Sequence, residues 1–551
     1  MFVRVKTTPN SPRKAVQLVE SVRQGNTVRQ RIVRHIGIAM DEDELVRLKD
    51  LAEVVKAKLA ADTQPQLFRP EDVAEQVIAA RSRQDEAPLH VNLKALKETQ
   101  RITSGIHAVY GAVYESLSLD RLLPAWRYRA SHKALFHTVM ARLANPDSKR
   151  AGVRALERDF GVQVSLPQVY RMMDLLDATR IAHLNALAGE QARALLGGPL
   201  RVLFFDCTTL YFESFTEDEL KQPGYSKDAK FTECQVLLAL AVTETGLPVR
   251  YTVLPGASFE GHSLIPVVKA LRAEHDADDA VIVADRGLLS EANLTALEEA
   301  GLHYIVGARL KSLPQDMQTR VLDEDRYETL KDSDGLRVLE FPHDSRRLVV
   351  GCSPVRAEKD RRDRDKAIAK LRKKLARSNN PKDLLNNYGY KKYLKVEGQS
   401  TLSVNPDKIA EAQRWDGLHG VITNLPKATT TTTILNQYRG LWQVEDTFRV
   451  SKHDLKVRPI YHWTPRRVQA HIAIAFMSLL CVRHLQYRMA LQARPVSPEV
   501  IANALTHVQH SVLEHQQTNR RYVIPSAISE VGRQLYKVMG LNHSTTPYEL
   551  K

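Results

Sequence analysis

The sequence predicts a multidomain chain of mixed class, with an α/β core and helical regions on either side of it. Three observations lead to this prediction. Apolar runs of strand length alternate with amphipathic segments between residues 201 and 307, and nearly continuous helical periodicity occupies residues 93–195 and 430–545. A chain of 551 residues can also form several domains and more than one sizeable core.

The composition is that of a basic globular protein. Hydrophobic residues make up 43% and charged residues 26% of the chain, which excludes a disordered polypeptide. The net charge is +15 and the isoelectric point is about 9.5. A large protein this basic often binds a polyanion, and nucleic acid is the leading candidate; a basic enzyme without such a partner stays open.

The cysteines and the hydropathy of the chain further limit the class of protein that the sequence can encode. The four cysteines are far apart and form no CxxC pair, which favours reduced, buried thiols over a zinc site or disulfides: Cys207, Cys234, Cys352 and Cys481. No signal-peptide pattern begins the chain. The longest apolar run, residues 472–482, is too short to span a bilayer and predicts a buried core helix. We therefore expect a cytoplasmic protein with no membrane partner.

The first 40 residues favour β-structure. Residues 15–22 and 27–36 alternate apolar and polar residues around Gln24-Gly25-Asn26, which predicts a hairpin. Many of its polar positions are basic, so that one face could lie along phosphates or could be an ordinary solvated face: Arg13, Lys14, Arg23, Arg29, Arg31 and Arg34. A charged amphipathic helix follows at 41–60, and then a polar stretch with three prolines.

Residues 93–198 are predicted to be helical. Within them, Ser165 can cap a helix that runs from Gln168 to Asp177, and a shorter helix ends before it at Gly161. This helix, turn, helix order resembles a DNA-reading unit, with Gln168, Tyr170 and Arg171 near the start of the second helix. Simple packing of two helices is the alternative.

The α/β core begins at residue 199. Strands are predicted at 202–208, 234–243, 247–255, 280–284 and 303–307, with helices at 263–275 and 290–300. The second and third strands form a hairpin through Glu244-Thr245-Gly246. Three strands in a row, followed by alternating strand and helix, is the order of the ribonuclease H-like fold.

Three acidic residues are the candidate catalytic and metal-binding residues. Asp206 and Asp285 each end an apolar run, and Glu445 lies in a helical stretch from Tyr438 to Lys452. A carboxylate after a strand lies at the edge where α/β sheets perform their chemistry. A third carboxylate from a helix would complete an oxygen-rich site for Mg²⁺, and such a site can hold two ions for phosphodiester chemistry.

Glu445 follows Asp285 by 160 residues, so most of residues 311–425 must be an insertion into the core. Strands are expected at 336–341, 346–350, 388–396 and 417–423. A charge-dense helix is expected from Arg356 to Arg377, and its last basic residues could contact phosphate.

The segment around Glu445 has the most specific pattern. On one helix, Tyr438, Glu445 and Lys452 are seven residues apart and share a face. The carboxylate can bind metal, while Tyr438 and Lys452 can hold phosphate oxygens beside it.

With this spacing the chain resembles the DDE transposases of bacterial insertion sequences that carry a Tyr-Arg-Glu-Lys motif. Tyr438, Glu445 and Lys452 match the motif, but its Arg position falls on Leu441. Arg439 or Arg449 could supply the missing charge. The resemblance covers residues 200–490 well, including Asp206, the sequence Ala284-Asp285-Arg286-Gly287 and the large insertion. The basic hairpin and the helix after Ser165 resemble one branch of the family with less specificity.

The resemblance implies a mechanism and partners. Asp206, Asp285 and Glu445 would hold two Mg²⁺ ions, for which Mn²⁺ could substitute, to cleave the element ends and join them to target DNA. A homodimer on DNA is implied, with these DNA contacts: Tyr438, Arg439, Arg449, Lys452, Arg458, Arg29, Arg31 and Arg171. Arg466 and Arg467 are further candidates. A metal-dependent nuclease with the same core and an inactive DNA-binding derivative are the alternatives.

The predicted domain order combines these segments. It runs from a basic DNA-binding hairpin and helix (1–60) through a linker (61–92), a helical region that binds DNA ends (93–198), the first part of the core (199–310), the β-rich insertion (311–425), the core with its catalytic helix (426–490) and a helical C-terminal region (491–551).

Overall fold

The computed structural model describes twelve stretches of the chain: residues 1–7, 14–24, 27–39, 41–61, 91–212, 216–224, 233–275, 280–330, 335–377, 392–397, 401–543 and 545–550. The predicted hairpin turn at 25–26, most of the predicted linker and the start of the strand expected at 388–396 lie outside these residues. So does Arg13, and so do the side chains of Arg23, Arg29 and Arg377.

The described part of the chain contains eighteen strands. They are β1 Phe2–Thr7, β2 Lys14–Gln24, β3 Thr27–Ala39, β4 Leu96–Thr103, β5 Val202–Tyr211, β6 Gln235–Thr243, β7 Pro248–Pro255, β8 Val281–Ala284, β9 His303–Gly307, β10 Glu328–Thr329, β11 Arg337–His343, β12 Arg346–Cys352, β13 Leu394–Glu397, β14 Thr401–Val404, β15 Leu418–Thr423, β16 Gln509–His515, β17 Arg521–Pro525 and β18 Tyr548–Leu550.

The same residues contain sixteen α-helices, so the protein is a mixed α/β protein. They are α1 Glu42–Ala61, α2 Gly111–Ser116, α3 Ala125–Ala144, α4 Lys149–Phe160, α5 Leu166–Leu175, α6 Ala178–Leu196, α7 Leu264–His275, α8 Glu291–Glu299, α9 Gln315–Val321, α10 Pro354–Arg377, α11 Pro406–Gln413, α12 Thr431–Arg439, α13 Trp442–Arg449, α14 Pro465–Gln492, α15 Pro498–Thr506 and α16 Glu530–Val538.

The chain divides into two compact units. Unit 1 comprises residues 1–187 and 449–551, and unit 2 comprises residues 188–448. Unit 2 is continuous in sequence, whereas unit 1 is completed by the two ends of the chain.

Unit 2 contains one large sheet with the strand order β10-β11-β12-β15-β9-β8-β5-β6-β7. Strands β5, β6 and β7 pair antiparallel, while β8 and β9 run parallel to β5. All nine residues of β6 are buried, which explains why this strand is a continuous apolar run rather than an alternating one. The five core strands expected from the sequence are therefore present in the expected order.

The predicted insertion, residues 311–425, extends this sheet. Strand β15 pairs antiparallel with β9, β12 pairs with β15, and β11 pairs with β12, which carries the sheet outward to β10. Strands β13 and β14 form a separate hairpin that packs with α10 around Ile368, Leu371 and Tyr393. The predicted strands at 336–341, 346–350 and 417–423 and the predicted charged helix are confirmed.

Unit 1 has a three-stranded N-terminal sheet, β1-β2-β3, and a second sheet with the order β18-β17-β16-β4. The N-terminal hairpin is confirmed as β2 and β3, and β1 adds a strand that was not expected. Helix α1 packs on this sheet through Leu45 and Ala52. The short helix α4 ends at Gly161, which has φ +66°, and Ser165 caps α5, so this predicted helix, turn, helix order is present.

Two predicted helical regions contain strands. Strand β4 lies within residues 93–198, and β16, β17 and β18 lie within 491–551. Their pairing explains the error, because β16 pairs along its length with β4, which precedes it by about 400 residues. Local periodicity carries no information about a partner that far away in the chain.

The longest helix of unit 1 is α14, which has 28 residues and contains the predicted buried run at 472–482. By length and hydropathy this helix could cross a membrane, but 94% of its most apolar stretch is buried inside the protein. It contacts α3 and α5. The prediction of a buried core helix is confirmed.

Candidate active site

The register of the large sheet brings two of the three predicted carboxylates together. In the parallel pair β5 and β8, Phe205 lies opposite Ala284, so the next residues, Asp206 and Asp285, are neighbours at the point where β8 ends. Neighbouring strands lie about 4.8 Å apart, and successive side chains alternate between faces. Asp206 and Asp285 therefore project from the same face of the sheet.

Asp206 does not end its strand. Strand β5 continues to Tyr211 because it remains paired with β6 over that length, whereas β8 is short and ends at Ala284. The Asp206 side chain is half-buried, and its Oδ1 accepts a hydrogen bond of 2.7 Å from the Cys207 N–H.

Asp285 begins a short turn at the end of β8. The carbonyl oxygen of Asp285 accepts from the Leu288 N–H at 3.0 Å. Arg309 Nη2 donates to the carbonyl oxygen of Arg286 at 3.2 Å and holds the same turn. Asp285 itself is exposed. This geometry leaves its carboxylate accessible at the sheet edge.

Tyr438 covers this edge from α12, which contacts β8 and β9. The pKa of the Tyr438 phenol is raised to about 12. Burial is the main cause, the Asp285 charge and the hydrogen bond to Asp285 act in the same direction, and Arg356 and Arg286 act against it. The phenol therefore stays protonated near neutral pH and donates to Asp285. A side chain at Gly307 would exclude this arrangement, because its Cβ would lie 2.3 Å from the Tyr438 hydroxyl oxygen.

The segment from Tyr438 to Lys452 is not one helix. Tyr438 lies in α12, which ends before Gly440, and Glu445 lies in the next helix, α13. Lys452 lies in a π-helical turn, Val450–Asp454. The expected single stripe of Tyr438, Glu445 and Lys452 is therefore wrong, because the seven-residue spacing aligns side chains only along an uninterrupted α-helix.

Gly440 determines how the junction between α12 and α13 packs. Its φ of −62° and ψ of −11° are open to any residue, so the requirement is one of space. A Cβ at Gly440 would lie 2.3 Å from Cζ of Phe204. Phe204 lies two residues before Asp206 on β5 and so projects from the same face of the sheet. The junction therefore packs on the face that carries the carboxylates.

Glu445 is exposed on α13. Among the described residues, no group of three or more histidine, cysteine, aspartate or glutamate side chains is arranged to hold a metal ion. The structure thus pairs Asp206 with Asp285 but does not add Glu445 to them, and the three-carboxylate site stays a prediction. The two aspartates alone supply carboxylate oxygens, the ligand type that Mg²⁺ and Mn²⁺ prefer.

Basic residues that sequence analysis did not select lie beside Tyr438. The charges of Arg356, at the start of α10, and Arg286 both act on the Tyr438 phenol. Arg356 and Arg439 also act on His419 of β15, whose pKa burial lowers to about 4. The sequence pattern favours only the last basic residues of the charged helix as phosphate contacts, since Arg356 has acidic neighbours there.

The other predicted DNA contacts are dispersed. Arg439 is exposed at the end of α12 in unit 2. Unit 1 contains Arg449, which pairs with Asp454 at 3.3 Å, as well as Lys452, Arg458 and the exposed Arg171. Gln168 caps its own helix by accepting from the Ser165 N–H, and Arg31 pairs with Glu20.

Comparison with known families decides the class of the protein. Residues 197–481 match the transposase DDE domain. The chain belongs to the DDE transposases. Residues 2–66 of the transposase also match the N-terminal domain of the IS1634 family transposases, so the predicted resemblance to insertion-sequence enzymes is confirmed.

Solved structures with weak similarity include other transposases. A piggyBac transposase synaptic complex with hairpin DNA has 11% identity and a TM-score of 0.36, over 73% of this chain and 76% of that chain. The Mos1 transposase paired-end complex with the left transposon end has 11% identity and a TM-score of 0.14, over 47% of this chain and 77% of that chain. No curated protein matches the transposase.

Proposed function

We propose that this DNA transposase cleaves the ends of an insertion sequence and joins them to target DNA by metal-dependent hydrolysis and strand transfer. The observation that carries the proposal is the register of β5 and β8, which makes Asp206 and Asp285 neighbours at one sheet edge. The strand order β7-β6-β5-β8-β9 supports a ribonuclease H-like core, with residues 311–425 as its insertion.

In this proposal Asp206 and Asp285 hold divalent metal ions, and Glu445 is the third ligand. Mg²⁺, or Mn²⁺ in its place, would activate the attacking water or DNA 3′-hydroxyl and stabilise the leaving oxygen. The Tyr438 phenol donates to the Asp285 carboxylate and so fixes its orientation. The guanidinium groups of Arg286 and Arg356 supply positive charge for a DNA phosphate at the same edge.

The remaining contacts and the assembly belong to the same proposal. Arg29, Arg31 and Arg171 would hold DNA from the N-terminal half, and Arg439, Arg449, Lys452 and Arg458 would hold it from the segment around Glu445. The enzyme would act as a homodimer that brings both element ends together. It would work in the bacterial cytoplasm, bound to the nucleoid.

The test uses pre-cleaved element ends, Mg²⁺ and a plasmid target. Asp206→Asn, Asp285→Asn and Glu445→Gln are each expected to lower joining by about 1,000-fold or more and to leave end binding unchanged, because the metal-binding carboxylate is lost while DNA contacts remain. Asp316→Asn, an exposed carboxylate in α9 of the same unit, is the matched control.

The products also separate the alternatives. Joined products support the transposase mechanism, cutting without joining supports a nuclease, and binding alone supports an inactive derivative. Full joining by any one of the three variants would remove that residue from the proposed site.

A further inference from the structure

A pocket in unit 1 lies beside the N-terminus of α4. Its lining includes Arg142 from α3 and Lys149, the first residue of α4, together with Asn145 and Ser148. The transposase mechanism proposed above makes no use of these side chains.

Two cationic side chains of this pocket are almost completely buried. Arg142 is 4% exposed and Lys149 is 8% exposed. Arg142 Nη2 donates to the carbonyl oxygen of Lys456 at 2.7 Å, while its buried Nε has no hydrogen-bond partner. Lys149 Nζ lies 3.5 Å from His471 Nδ1. Neither cation forms an ion pair with a carboxylate within the described part of the chain.

His471 leaves Lys149 only a weak contact. Its Nε2 lies 2.9 Å from the carbonyl oxygen of Val457, which requires the proton on Nε2 and leaves Nδ1 as an acceptor. A single neutral acceptor at 3.5 Å offsets little of the cost of burying an ammonium group.

The pKa shifts of Lys149 and Arg142 agree with their burial. Burial lowers the pKa of Lys149 well below its usual range, and the charge of Arg142 lowers it further. Burial also lowers the pKa of Arg142, to about 10, so that its guanidinium stays charged near neutral pH. A charged Lys149 beside the Arg142 guanidinium, without a carboxylate, would be costly, and a bound anion would offset that cost and favour the ammonium form.

The start of α4 adds a second source of positive potential. The Ser148 side chain caps the helix by accepting from the Ala151 N–H at 3.2 Å. The first N–H groups of a helix have no partner within it and favour an anion. Asp147 also lines the pocket, but it is exposed, and its Oδ1 accepts from the Ser148 N–H.

We propose that this pocket binds a phosphate group through Arg142, Lys149 and the N-terminus of α4, and that a DNA backbone phosphate is its source. The DNA source rests on the proposed function, whereas the phosphate chemistry rests on the pocket alone. A free inorganic phosphate has the same chemistry, and the experiment distinguishes the two sources.

The test compares the full-length wild type with Lys149→Met, a change of similar volume that removes the buried amine. Arg154→Gln is the matched control, because it removes an exposed charge from the same helix. Inorganic phosphate is expected to raise the Tm of wild type and Arg154→Gln above that in chloride of equal ionic strength. The same addition should raise the Tm of Lys149→Met by less, since only the general stabilising effect of phosphate remains.

A second arm measures DNA binding by fluorescence anisotropy over a range of salt concentrations. Loss of one phosphate contact is expected to lower the slope of log affinity against log salt by about 1 in Lys149→Met. A phosphate-dependent Tm rise without this slope change would support the pocket and assign it to free phosphate.

Equal Tm rises on addition of phosphate in wild type and Lys149→Met, with equal salt slopes for the two proteins, would overturn the proposal. Failure of the wild type to bind DNA at all would refute the proposed function and the DNA source. The Tm comparison would still decide whether the pocket binds phosphate.

Discussion

Unit 2 presents Asp285 and Glu445 at its surface, with Asp206 half-buried beside Asp285, whereas unit 1 buries Arg142, Lys149 and His484 in its interior. Asp206 and Asp285 are placed by the register of β5 and β8, and their positions are visible in the sequence as residues that end apolar runs. The buried cations and histidine are distributed over helices whose periodicity is otherwise ordinary. Functional residues at the ends of strands can be identified from the local sequence. Whether a charged residue is buried depends instead on which helices pack together.

Apart from loss of a carboxylate itself, the largest expected effect concerns the packing that brings α12 and α13 onto the sheet. Gly440→Ala is expected to lower the free energy of unfolding by about 1–3 kcal/mol, because its Cβ would overlap Phe204. Displacement of the junction should lower joining by about 100-fold, since a shift of about 1 Å at a reacting centre has that effect.

Gly198→Ala is the control for this change, because nothing lies within 4 Å of a Cβ built at Gly198. Addition of Phe204→Leu to Gly440→Ala should restore part of the stability and of the joining. An unchanged joining rate in the single variant would separate the junction from the active site.

The next effect concerns the phenol above Asp285. Tyr438→Phe removes the hydrogen bond to the carboxylate and is expected to lower joining about tenfold, in the range of lost outer-shell contacts at metal sites. Tyr327→Phe, which removes a hydrogen bond to the carbonyl oxygen of Val321 in the same unit, should leave joining unchanged.

The raised pKa of the Tyr438 phenol also predicts how the stability of the protein changes with pH. The folded-state pKa of Tyr438, about 12, exceeds the value near 10 of an unfolded tyrosine. The stability that it contributes is complete below pH 10 and is lost as the pH rises toward 12. Denaturant unfolding should show this loss of stability in the wild type and a smaller loss in Tyr438→Phe. An identical dependence of the free energy of unfolding on alkaline pH in the two proteins would contradict the raised pKa of Tyr438.

The smallest effect at neutral pH concerns unit 1. His484 is 1% exposed, and its Nε2 meets no hydrogen-bond partner in the described part of the chain. Burial lowers its pKa to about 3, below the unfolded value of about 6.5. Its contribution to stability is therefore complete above pH 6.5 and decreases as the pH falls toward 3.

His484→Leu is expected to change stability at pH 7.5 by less than about 1.5 kcal/mol. Below pH 6.5 it should reduce the acid loss of stability by up to about 1.4 kcal/mol per pH unit. His183→Gln, at an exposed position in α6, is the control. An equal loss of stability with falling pH in wild type and His484→Leu would show that His484 has the same pKa in the folded and unfolded states.

Much of unit 2 could be predicted because short stretches of its sequence indicate the strands and turns. The apolar runs before Asp206 and Asp285 and the turn at Gly246 define β5 to β9 and their order. Gly440 itself is a local signal against one continuous helix, because glycine is unfavourable in a helix interior. Its close approach to Phe204 could not be predicted, since the two residues are distant in sequence. The pairing of β15 with β9 and of β16 with β4 joins distant segments, and such non-local contacts leave no periodic trace in the sequence.

The neighbouring placement of Asp206 and Asp285 is most directly tested by a double-mutant cycle on the joining rate. If both carboxylates serve one metal site, Asp206→Asn and Asp285→Asn should each lower joining by about 1,000-fold or more, and the double variant should be no worse than either single variant. End binding should be equal in all four proteins. Losses that multiply in the double variant, or full joining by either single variant, would contradict a shared site.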